Sequence, residues 1–134
     1  MTVTGDPGSD RRTVLLGAGG QARDVVVAPG ALLGTGVQLG AHVSVNTGAS
    51  LSHDTMVGAF CTVGPRAVVC GNVTAGDGVV IRAGATINQG IRIASGVVVG
   101  SGAVVVDDIE LAEGFVVGNP ARSLTIMREW ADRL

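Results

Sequence analysis

The chain has 134 residues and a formal charge of −2, enough length for one domain with a modest core and no electrostatic footprint for nucleic acid. No stretch nears the ~20 apolar residues of a membrane span, and two cysteines, Cys61 and Cys70, are too few for a disulfide framework, which implies a reducing, cytoplasmic setting. With 22 Gly, 2 Phe, 1 Trp and no Tyr, the core must be narrow, layered with aliphatic side chains and interrupted by many turns.

The first element lies in "RRTVLLGAGGQARDVV". Twin arginines before an apolar run are a feature of export signals, but this run is short, glycine-rich and closed by Arg23 and Asp24. "TVLL" reads as a strand and "GAGG" as a loop that opens a helix, the start of a dinucleotide-type unit whose backbone N–H groups hold phosphate. Such a unit needs a second strand at least ~10–12 residues on. A different pattern has already begun at Val27, so residues 1–26 are expected to be a tail and a vestigial strand–loop segment packed on the start of the next domain.

That pattern has a period of six. Stepping by six from Val27 to Val117 meets Val, Leu or Ile everywhere except Ala75, with no slip. The position four later, from Ala31 to Ala121, is mostly small or β-branched. Glycine often comes right after the aliphatic residue, as at Gly34, Gly40, Gly58 and Gly64. Each hexapeptide then forms a short flat strand and a corner. The aliphatic and the small residue point inward, and the glycine sits where a Cβ would clash. Three hexapeptides close a coil of 18 residues, coils stack at strand spacing of about 4.8 Å, and stability grows by stacking. The fold class expected for residues 27–122 is therefore an all-β solenoid of about five coils. An ordinary β-sandwich would show two-residue alternation and irregular turns instead.

Within the solenoid, "VNTGASLSHD" carries His53 and Asp54, two residues past the inward Leu51 and so outward at a corner. Eighteen residues on is Gly71, in "VVCGNV", which should lie one coil away. His42 is outward but off this stack, a surface residue. Met56 and Phe60 are outward apolar residues that suit a face buried between subunits. The segment "SLTIMREWADRL" abandons the six-residue step. Ser123 can cap it, and Leu124, Met127, Trp130 and Leu134 share one helical stripe, so residues 123–134 are expected to form a short C-terminal helix over the open end.

Together, the strand with its "GAGG" loop, "VNTGASLSHD", "VVCGNVTAGDGV" and "VVGNPARSL" resemble the hexapeptide-repeat acetyltransferases that act on UDP-linked amino sugars or on sialic acid. The resemblance covers roughly residues 13–26 and 27–124. It implies a left-handed parallel β-helix, a homotrimer with sites in clefts between prisms, acetyl-CoA as co-substrate and no metal. Gln21 stands where the loop often has His, and most of the substrate domain between loop and helix has no counterpart here.

Acetyl transfer from a thioester requires a base for the acceptor, a donor for the developing oxyanion and alignment of both substrates. In the resemblance His53 is the base and Asp54 its partner. The Gly71 N–H faces the thioester carbonyl. Asn46, at a corner, is either an orienting residue of the site or a plain turn asparagine. Thr62 falls where some relatives carry a second histidine. The pantetheine arm is expected along an edge marked by Ala83, Ser101 and Asn119, spaced by 18, and Arg122 can meet a phosphate, with Arg82 and Arg92 as further candidates.

The expected function is transfer of an acetyl group to an amine or hydroxyl of a sugar or similar small acceptor. The alternative is an inactive scaffold derived from such an enzyme. A zinc carbonic anhydrase on the same kind of helix needs three histidines on the metal, and the chain has 2.

Overall fold

The computed structural model describes residues 2–4, 13–16 and 24–124. The expected helix over 123–134 falls almost wholly outside these residues, as does the "GAGG" loop. Among the described residues the chain is all β.

Strand β1 (Thr2–Thr4) pairs antiparallel with β2 (Thr13–Leu16). The "TVLL" strand is thus formed, and the hairpin partner before it was not foreseen. Next come fourteen two-residue strands at six-residue steps, from β3 (Val26–Val27) to β16 (Val104–Val105). Every third strand pairs in parallel: Ser50 opposes Val68 and Leu51 opposes Val69, while Met56 opposes Thr74. The product is a left-handed parallel β-helix of about five coils with three faces. Face I holds the strands at 32, 50, 68, 86 and 104; face II those at 38, 56, 74 and 92; face III those at 26, 44, 62, 80 and 98. Strand β2 extends face II, with Leu16 beside Leu39.

Two residues per strand fix one side chain outward and the next inward. Met56 is exposed and Val57 buried; Arg92 is exposed and Ile93 buried. The inward aliphatics, such as Leu39, Val45, Leu51 and Val63, form one buried column with the residues four later, such as Val43, Ala49, Thr55 and Cys61. Thr55 is the one buried polar side chain among the described residues, and its hydroxyl donates to the Cys70 carbonyl at 3.0 Å. At Gly40, a Cβ would stand 2.5 Å from the Ala59 nitrogen of the next coil, so the glycine answers a close approach between coils rather than a special φ.

The six-residue step holds to Val105 and then slips, a correction to the unbroken pattern expected from sequence. Ile93 bridges Ile109, not Leu111. Val99 then pairs with Val116, not Val117, in β17 (Phe115–Val117). Leu111, expected inward, is 73% exposed, whereas Val116 is buried. At the slip Asp108 Oδ1 accepts the Arg92 N–H at 2.8 Å. A side chain substitutes for a missing backbone rung and lets the chain take a shorter path. The solenoid ends in an antiparallel hairpin of β17 with β18 (Arg122–Ser123).

Candidate active site

His53 occupies the turn between β7 (Ser50–Leu51) on face I and β8 (Met56–Val57) on face II. Gly34 lies directly beneath it, where a Cβ would come within 2.8 Å of the His53 nitrogen. Asp54 comes next with φ of 59°, a left-handed conformation that Asp tolerates better than most residues. The turn directs both side chains outward together, and His53 Nδ1 meets Asp54 Oδ2 at 3.2 Å. The side chains are 54% and 63% exposed, so the contact adds little to stability. Its geometry is informative in another way. A carboxylate on Nδ1–H leaves Nε2 with its lone pair, the arrangement of a proton acceptor.

Gly71 lies one coil above, as its spacing requires: the Asn72 N–H donates to the His53 carbonyl at 2.9 Å. A Cβ on residue 71 would stand 2.6 Å from His53 Cε1 and nearer still to Nε2, so the imidazole rests against the bare Cα. The equivalent N–H groups at the next corner are taken by side chains one coil up. Ala59 N–H donates to Asp77 Oδ1 at 2.8 Å and Asp77 N–H to Ser95 Oγ at 3.2 Å. The Gly71 N–H has no such acceptor among the described residues.

Other residues singled out in the sequence lie elsewhere. Asn46 sits at the corner between faces III and I, one face away from His53, because corners recur every six residues and these two are seven apart. Its side-chain amide donates to the Val63 carbonyl at 2.9 Å, closing that turn. Thr62 points outward on face III, beside Ser44 and Val80. Ala83 and Ser101 do stack, since the strands on both sides pair in register. Asn119 does not continue their line, because the slip after Val105 shifts the register by one and the chain then reverses into the β17–β18 turn. Arg122 is exposed there and donates to the Ala121 carbonyl at 2.9 Å. Arg82 lies over the Phe115 ring, 5.5 Å from its centroid.

Two features escaped sequence reading. His42 stacks on Phe60 at 4.9 Å between ring centroids and meets Asp24 at 3.5 Å, three residues each 18 apart. Gly36, 18 before Asp54, underlies the carboxylate: a Cβ there would overlap Asp54 Oδ1. Counting by coils along the stacks reveals both groupings.

The three-faced parallel helix is the fold that the chain shares with hexapeptide-repeat transferases. The solved structures similar to the chain are hexapeptide-repeat acetyltransferases, the family its motifs resemble. The acetyltransferase domain of PglB from Neisseria gonorrhoeae, in complex with acetyl coenzyme A, is 36% identical with a TM-score of 0.75, over 83% of this chain and 51% of that one. A histidine-to-alanine variant of GDP-perosamine N-acetyltransferase from Caulobacter crescentus, in complex with CoA and GDP-perosamine, is 31% identical with a TM-score of 0.61, over 75% of this chain and 53% of that one. A hexapeptide-repeat acetyltransferase from Vibrio cholerae shares the fold at 21% identity and a TM-score of 0.69. The chain thus spans about half the length of the first two. No protein-family model and no curated protein sequence matches it.

Proposed function

We propose that the protein transfers an acetyl group from acetyl-CoA to an amine or hydroxyl of a sugar or similar small acceptor, through residues 27–122. The observation that carries this reading is the His53 imidazole, oriented by Asp54 at Nδ1 and resting by its Nε2 end against Gly71. His53 Nε2 takes the proton of the acceptor as its nitrogen or oxygen attacks the thioester carbon. The Gly71 N–H donates to the carbonyl oxygen as it gains charge. The carbon–sulfur bond breaks, and His53 returns the proton to the leaving thiolate. An uncommitted N–H beside the base fits the donor's thioester, and the exposed Ala83 and Ser101 edge offers backbone groups to its arm. The relatives in complex with acetyl-CoA or with CoA and GDP-perosamine support the donor and a sugar-type acceptor.

The reading includes a homotrimer. Met56 and Phe60 are 47% and 65% exposed, and Phe60 holds a left-handed φ of 60° that a bulky residue seldom adopts, so both gain from a covering subunit. Sedimentation should give three times the chain mass, and a monomer at micromolar concentration contradicts the assembly. It also includes a reducing compartment, in keeping with two free cysteines.

The test is acetyl-CoA turnover over a panel of amino and hydroxyl acceptors, wild type beside His53→Ala. A loss of at least ~100-fold in kcat is expected, the scale of a general base. Equal rates remove His53 from the mechanism. Calorimetry with CoA separates the enzyme from an inactive scaffold, for which no heat would appear even at millimolar ligand.

A further inference from the structure

We propose that Gly36 is a positioning residue of the His53–Asp54 pair, its missing Cβ forming the seat of the Asp54 carboxylate. This rests on the reading of His53 as the base. Residues 36, 54, 72 and 90 stack at the left-handed position of one corner, with φ of 74°, 59°, 56° and 76°. Asp54 and Asn72 show that this position accepts a side chain, so the backbone alone does not demand glycine at 36. The carboxylate does. A Cβ on residue 36 would overlap Asp54 Oδ1 and stand 3.4 Å from its Cγ, whereas a Cβ on Gly90 meets nothing within 4 Å.

The same seating occurs at Gly58, under Asp77 Oδ1, with a different outcome. There the carboxylate oxygen accepts the Ala59 N–H and ties one coil to the next. At Gly36, lodging Oδ1 over the glycine fixes the rotation of the carboxylate and turns Oδ2 to His53 Nδ1. The imidazole in turn lies against Gly71. The pair is held between two positions without Cβ, one a coil below and one a coil above. Gly36 therefore selects the Nδ1–H tautomer of His53 and bares Nε2.

Gly90 provides a matched control, since Gly90→Ala carries the backbone cost of a left-handed alanine without touching the carboxylate. Gly36→Asn provides a second variant, because asparagine tolerates this turn at position 72. Gly36→Ala and Gly36→Asn should lower kcat at least ~10-fold below the corresponding Gly90 variants. Nitrogen-15 spectra should show the Nδ1–H tautomer in wild type and Gly90→Ala, and a mixture in both Gly36 variants. In an Asp54→Ala background, Gly36→Asn should cost less than about a further twofold, as expected of a residue acting only through Asp54. Gly36 variants that keep both the tautomer and the rate of their Gly90 counterparts overturn the assignment. So does a further loss in the Asp54→Ala background. The spectra need no turnover, so an inactive wild type would sink the acetyltransferase reading while the role of Gly36 is still decided.

Discussion

Cys61 sits in the buried column with its thiol directed at the Gly76 carbonyl at 3.0 Å. Burial pushes its pKa up, the charge of Asp77 adds to this, and the Val79 N–H opposes both. The folded chain therefore holds this proton more tightly than the unfolded chain. The resulting stability is complete below the ordinary thiol pKa of about 8.5 and is lost as pH rises toward the folded value. Having neither Lys nor Tyr, the chain has few other groups that titrate in that window. Thermal unfolding should accordingly give a level Tm from pH 7 to about 8.5 and a decline above it, and Cys61→Ala should flatten that decline. An unchanged slope in the variant would assign the effect elsewhere. At this scale the sequence was informative wherever a role is set by position in a coil. The neighbourhood of His53 and Gly71 on adjacent coils follows from their spacing of 18, while their proposed roles come from the resemblance. Asn46 is at a corner, as its place in the repeat requires, but at a different corner of its own chain from His53, because seven residues carry the chain along a whole face. Gly36 was overlooked because one glycine among 22 has no distinguishing mark until the atom occupying its missing Cβ is seen.

The strands are two residues long and individually too short to persist, so each depends on the rungs above and below it. Their existence was legible because inward aliphatic residues, with Ala75 the one departure, and small or β-branched partners recur in unbroken register from Val27 to Val105. The slip beyond Val105 was not legible, since Leu111 and Val117 satisfy the pattern by residue type while the geometry passes them by. Asp108 accommodates the new path as a surrogate carbonyl, a use of a charged residue that leaves no periodic trace. Asp108→Ala should leave the Arg92 N–H to solvent. The expected cost is about 0.5–1.5 kcal/mol by urea denaturation, because water reaches the site. Hydrogen exchange should quicken at Arg92 and its neighbours and stay unchanged at coils two or more away. Uniform acceleration along the chain would contradict a local role.

Across the molecule, every coil is aligned by the one before it, so an error in residue count propagates. Removing Ala59 would bring Phe60 and each later residue one step forward, so that Arg82, Asn88 and Arg92, with several Thr and Gly, would take inward positions in place of the buried aliphatic column. That variant should lose cooperative unfolding altogether. Removing Glu110, which is exposed and lies outside the strands, should leave a cooperative transition, because among the described residues only the terminal hairpin lies beyond it. Equal tolerance of the two deletions, read by circular dichroism on heating, would contradict this dependence. The 18-residue pairing, with Ser50 opposite Val68, then sets a rule for how such a gene can lengthen or shorten without harm. The neutral increment is about 54 nucleotides, one whole coil, since stacked repeats accept whole units. Smaller changes are tolerated only after Val105, where few later residues inherit the frame.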